Sequence, residues 1–169
     1  MYKYATPENT AVNCKSKGEF GIHPGVWKWA EVEAWLAEGN TIEPFETDQE
    51  KHDKALRDIN NNLNQEKKKA KSEGIQVDGI LFDTDSEARI AYLELMVKFM
   101  IDPTYTVQDW KASEGSWVVM DITLFNKLVA AWEQRLSSLF SFIKTKETEI
   151  KSKNTKEELE SVNVKFVND

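Results

Sequence analysis

Between Phe125 and Ile150 large side chains return at alternating steps of four and three: Phe125, Val129, Trp132, Leu136, Leu139, Ile143 and Ile150, with Lys146 as the one polar member. Such spacing holds one stripe on one side of a helix. It predicts a single long helix, capped by Asp121 and running to about Lys151, around which the rest of the chain must be arranged. Leu128 and Phe140 widen the stripe beyond a simple two-stranded zipper, which predicts packing on several surfaces. The seam has two uses open to it. One is an intramolecular bundle with the other helices; the other is a coiled-coil contact through the 122–151 helix with a second copy or a fibrous partner.

The elements before it carry their own punctuation. Residues 48–73 hold no Pro or Gly and are rich in Lys, Glu, Gln and Ala, so they predict a helix with a narrow stripe of Leu56, Ile59, Leu63 and Ala70, closed by Gly74. Ile75, Val77, Ile80 and Phe82 predict a short β segment with Asp78-Gly79 as a turn or bulge. Thr84 followed by Glu87 matches a capping box and predicts a helix from Asp85, with Ala88, Ala91, Tyr92, Leu95, Met96 and Phe99 on one face and Asp102-Pro103 as its end. Residues 104–111 and 117–120 flank the turn chemistry of Ser113-Glu114-Gly115-Ser116 and predict a hairpin on which Trp110 and Trp117 meet. Thr155 to Leu159 predicts a last capped turn, and Val162, Val164, Phe166 and Val167 an apolar end that docks as a strand or frays.

The first 47 residues differ. Gly18, Gly21, Pro24, Gly25, Gly39 and Pro44 interrupt short apolar pieces, leaving room for one short helix at about 30–37 with Val32, Trp35 and Leu36 inward and Gly39-Asn40 as its stop. Trp27, Trp29, Trp35 and Phe45 load this segment with aromatic surface that either packs or anchors a partner. The expected organisation is an N-terminal segment 1–47, a helical and hairpin domain 48–162 and a tail 163–169. The expected fold class is α+β: a small antiparallel sheet, strand plus hairpin, packed with three helices, a long heptad-patterned C-terminal helix, and an irregular aromatic N-terminal segment.

The chemistry-bearing residues are sparse. A net charge of −7 argues against the broad positive field that nucleic-acid backbones require. No run approaches the roughly 18 apolar residues of a membrane-spanning helix, and residues 1–20 lack a signal-peptide apolar core. With Cys14 as the single cysteine, no intrachain disulfide or cysteine zinc cluster can form. Asp83, Asp85, Glu87 and Glu94 fall at calcium-loop positions one, three, five and twelve, but Ala88 stands where that loop needs Gly, and helix capping accounts for the acidic start without a metal. His23 and His52 have no nucleophile or ligand set near them in sequence, and no glycine-rich phosphate loop occurs. No catalytic residue, metal or cofactor is expected.

Two stretches carry a resemblance. Val77-Asp78-Gly79-Ile80-Leu81-Phe82-Asp83-Thr84-Asp85, the following helix, the Trp110-Lys111 to Gly115 turn, the long helix and Glu157-Glu158-Leu159 resemble a small C-terminal domain found in bacteriophage tail-fibre-associated proteins. Upstream, Ala34-Trp35-Leu36-Ala37-Glu38-Gly39-Asn40-Thr41-Ile42-Glu43-Pro44 looks like the Trp-x-x-x-Gly-Asn-Thr-x-x-Pro element of tail-fibre assembly proteins. The resemblance implies a chaperone for folding and trimerisation of the receptor-binding fibre, acting on the fibre's C-terminal region in the host cytoplasm. A permanent accessory subunit at the fibre tip and a coiled-coil adaptor without a fibre role are the competing expectations. Trp27, Trp29, Trp35, Phe45, Trp132, Leu136 and Leu139 are the expected partner contacts, with neither nucleic acid nor membrane as partner.

Overall fold

A computed structural model describes residues 1–167, and of Glu114 the backbone alone. The expected tail 163–169 is described as far as Val167, and its last two residues lie outside the described ones. The chain separates into two compact units, 1–55 and 56–169, with the division falling inside one helix.

The first unit is built on strands β1 (Tyr2–Tyr4), β2 (Val12–Cys14) and β3 (Glu19–Ile22), antiparallel in the order β1-β2-β3. Glu43 extends the β1 edge, donating to the Tyr2 carbonyl at 3.0 Å and accepting from the Tyr4 amide at 2.9 Å. Helix α1 (Trp29–Ala37) ends at Gly39, whose φ of 86° only glycine adopts without strain. Val12, Cys14, Ile22 and Val32 are buried together beneath Trp29, Trp35 and Ile42. This segment therefore has a sheet and a core of its own, where glycine-punctuated sequence promised neither. Its strands are three or four residues long, too short for a period-2 pattern to register, and they exist because their ladders pair across the sequence.

Helix α2 (Asp48–Ser72) starts on a reciprocal cap: Thr47 Oγ1 accepts from the Glu50 amide at 3.1 Å, and the Glu50 carboxylate accepts from the Thr47 amide at 2.8 Å. In the second unit α2 buries Ile59, Leu63 and Ala70. Strands β4 (Ile75–Val77) and β5 (Ile80–Phe82) form a hairpin turned by Asp78 and Gly79, both at positive φ as a tight two-residue turn demands. Helix α3 (Ser86–Ile101), hairpin β6 (Val107–Lys111) and β7 (Trp117–Met120), helix α4 (Ile122–Lys151) and helix α5 (Lys156–Glu160) follow. The architecture is α+β, with small antiparallel sheets, five α-helices among the described residues and a long C-terminal helix. Phe82, Leu95, Phe99, Met120, Phe125 and Leu128 form the centre of the second core.

Three local expectations change. Thr84 is not the cap of α3; Asp85 is, accepting from the Ala88 amide at 2.8 Å. Thr84 is buried at the other end of the crossing, where its hydroxyl accepts from the Gly74 amide (3.1 Å) and donates to the Lys71 carbonyl (2.9 Å), closing the C-terminus of α2. Trp110 and Trp117 do not face each other either. The register pairs Trp110 with Val118 and Lys111 with Trp117, so Trp110 turns inward onto Tyr92, with ring centroids 5.5 Å apart, while Trp117 turns to solvent. A one-residue offset exchanges the faces of a strand, and the irregularity between Val107 and Trp110 supplies it. Residues 163–167 dock without becoming a strand: the Phe166 ring meets Phe142 at 5.4 Å and its amide donates to Glu66.

Candidate functional site

Helix α4 is capped by Asp121, which accepts from the Leu124 amide at 2.8 Å. Its interior face differs from the strict heptad: Leu128 and Arg135 are buried, whereas Val129 is exposed and Leu136 half-buried. Phe125, Leu139, Ile143 and Ile150 stay on the buried side. A straight helix has 3.6 residues per turn, so a stripe packed on nearby hairpins and helices shifts away from a 3.5-residue seam. Polar chemistry holds the shift in place. Arg135 Nη1 donates to the Gly74 carbonyl and Nη2 lies 3.1 Å from Glu73, so one guanidinium serves both the end of α2 and its acidic neighbour. Gly74 sits at φ 82°, and a Cβ there would fall 2.9 Å from the Phe82 carbonyl oxygen.

Close by, the Asp83 carboxylate takes the Ser113 hydroxyl and its carbonyl takes the Tyr92 hydroxyl at 2.9 Å. Burial pushes the Tyr92 phenol well above its ordinary pKa, with the Asp83 and Asp85 charges adding to the effect. The hydroxyl stays protonated and acts as a donor. These groups tie α2, β5, α3 and the β6–β7 turn together, and each carboxylate in them is occupied by structure.

The uncovered feature is helix α3. Its inner side, Tyr92, Leu95 and Phe99, is buried in the core. Its outer side is also apolar: Ile90, Leu93, Val97, Met100 and Ile101 are all exposed, with Met96 at the margin. Apart from a polar strip at Glu87, Glu94 and Lys98, α3 is apolar on two sides, and this chain covers only one of them. Where α3 meets α4 the stripe deepens into an open groove of about 300 Å³, walled by Tyr92, Met96, Val129 and Trp132, with Arg89 and Glu133 among its lining residues. The Arg89 guanidinium lies 5.8 Å from the centre of the Trp132 ring.

The expected contact residues divide. Trp29 and Trp35 pack on the core of the first unit, where Trp35 meets Tyr2 edge-on at 5.1 Å, and Phe45 is half-buried. Trp27 is 77% exposed, with Lys28 Nζ 5.3 Å from its ring centre. On α4, Trp132 lines the groove and Leu136 is half-buried, while Leu139 is wholly enclosed by its own chain. Sequence reasoning missed the outer face of α3 because it assigned that helix a single apolar side. The signal was present in Ile90, Leu93, Val97 and Met100, which add a second apolar side to the first.

Among the described residues no group of three or more His, Cys, Asp or Glu side chains is placed to hold a metal ion, and no helix is long and apolar enough to cross a membrane. The fold and this face define an α+β chain whose distinguishing surface is an exposed apolar face on α3. The chain belongs to the family described as a domain of unknown function, DUF4376, whose model matches residues 54–163. No curated protein and no solved structure matches it.

Proposed function

We propose that this protein is an assembly factor for a bacteriophage tail fibre, and that it holds the C-terminal region of the fibre protein through the groove between α3 and α4. The groove carries the reading: it joins an aromatic floor at Trp132 to an apolar wall at Met96 and Val129, with an Arg89 cation and a Glu133 anion among its lining residues. Such a site accepts large apolar side chains and orients them by charge, which is how few anchors supply most of the binding energy between proteins. The sequence resemblance of residues 34–44, and of roughly 48–162, to tail-fibre-associated proteins suggests the partner.

Three fibre chains must align before their interwoven strands can register, and until then their apolar faces and unpaired edges aggregate. An acidic protein that caps those faces keeps the intermediate soluble; a net charge of −7 serves that purpose. Coexpression with the fibre's C-terminal region is the test. The expected result is copurification and more soluble trimeric fibre, both reduced by Trp132→Ala. A fibre that trimerises equally well alone would sink the proposal.

A further inference from the structure

The outer stripe of α3 has a heptad phase of its own, although its Leu93, with the flanking Arg89 and Met96, also lines the groove. Ile90, Leu93, Val97 and Met100 follow one another at three, four and three residues and are 59, 59, 50 and 77% exposed. With Ile90 and Val97 at the first heptad position and Leu93 and Met100 at the fourth, β-branched residues alternate with unbranched or γ-branched ones, the arrangement that favours two parallel strands. We propose that this stripe is the contact with a second copy of the same chain, the two α3 helices lying side by side and parallel.

The flanking positions choose both the occupant and its direction. In a parallel pair each residue just before the first core position lies against the residue five places later on the other helix. Arg89 then meets Glu94 of the second copy, and Met96 meets Ile101, so charge faces opposite charge and apolar faces apolar. Met96 and Ile101 are 40 and 77% exposed in the single chain, and the pairing covers both. The antiparallel overlap of the same stripe sets Glu94 against Glu94 and Ile101 against Glu87, a like-charge and a mismatched contact. Arg89 lies over the Trp132 ring, and a guanidinium stacked on a ring keeps its edge donors available for a carboxylate. Covering the six apolar side chains in both copies removes on the order of 1,200 Å² from water, the size at which specific dimers become stable.

The full-length chain should therefore sediment as a dimer that dissociates on dilution. Val97→Glu, which places like charges at the contact centre, should weaken association by about 100-fold while leaving the far-ultraviolet circular dichroism spectrum unchanged. Glu94→Arg should weaken it at low salt, and Arg89→Glu combined with Glu94→Arg should restore it. Val97→Cys should cross-link to itself on mild oxidation, because equivalent first positions adjoin only in the parallel pair. A chain that stays monomeric at high micromolar concentration, or a dimer indifferent to Val97→Glu, would overturn the proposal. Failure of Val97→Cys to cross-link within an otherwise intact dimer would overturn the parallel arrangement. The two surfaces share Arg89, Leu93 and Met96, whereas Trp132 belongs to the groove and Val97 to the stripe, so fibre binding lost in Trp132→Ala with the dimer intact, or the dimer lost in Val97→Glu with fibre binding intact, tells the two proposals apart.

Discussion

Helices α3 and α4 both carry apolar residues at heptad spacing, yet they use them in opposite ways. On α4 the stripe turns inward, and Phe125, Leu128, Leu139, Ile143 and Ile150 are buried in the chain's own core. The other side of α4 is polar at Glu133, Gln134, Ser137, Ser138, Lys144 and Glu147, all exposed, so the helix satisfies water and core at once. On α3 the inner side is buried just as deeply at Tyr92, Leu95 and Phe99, but the outer side is apolar as well. Spacing alone therefore does not separate a core stripe from a contact stripe. The character of the opposite face does: a helix polar on its other side buries its stripe in the core, whereas a second, contiguous exposed apolar side marks a candidate interaction surface.

That contrast is open to direct perturbation. Leu139→Ala should cost about 3–4 kcal/mol of unfolding free energy in a denaturant titration, since it opens a cavity at a side chain with no exposed surface. Arg135→Ala should cost about 3 kcal/mol by the same measurement, because it strips the Gly74 carbonyl of its donor, while Glu73 keeps Lys69 at 3.2 Å as its remaining partner. Glu73 is nearly half exposed, so water recovers part of its charge and the loss is felt mainly at Gly74. Thr84→Val keeps the shape but removes the two hydrogen bonds closing α2, for about 1–2 kcal/mol. Val97→Gln, on the outer face of α3, should change the stability of the monomer by less than about 0.5 kcal/mol. A large loss there would mean that the outer face is structural and would erase the contrast.

Acid supplies the smallest probe. The Glu158 carboxylate accepts from the amides of Asn154 (2.8 Å) and Thr155 (3.3 Å), and these bonds hold its pKa below the ordinary value. A lowered folded-state pKa gives stability that is complete above the unfolded value and disappears as pH falls through the folded one. The protection of α5 amides relative to their intrinsic exchange rate at each pH should therefore fall on acidification below the ordinary glutamate range, before the centre of α4 opens.

Local chemistry made much of the fold readable. Asp121, Thr155 with Glu158, Gly39 and Asp102-Pro103 mark helix ends through short-range hydrogen bonds and backbone limits, and α1, α3, α4 and α5 begin or end within a residue or two of those marks. The Ser113–Ser116 turn and the strands flanking it were legible for the same reason. The β1–β2–β3 sheet was not, because each strand is too short to show a pattern and is joined to the next by a longer irregular connection instead of a two-residue turn. Thr84 illustrates the same limit: its sequence neighbours offer a helix start, but the fold brings the end of α2 to its hydroxyl. Of the candidate site, Trp132 stood out in the sequence as a candidate contact, and it lines the groove; the groove itself was not legible, since Tyr92, Met96 and Val129 meet only when two helices cross.

Residue order alone marked most of the helix ends, the apolar stripe of the longest helix, the net charge of −7 and, with one cysteine, the impossibility of an intrachain disulfide. The packing of the chain settled which of two apolar stripes is buried inside the molecule and which is left facing water. Caps and turns depend on atoms a few residues apart, whereas the covering of a face depends on what folds against it, and no local pattern contains that information.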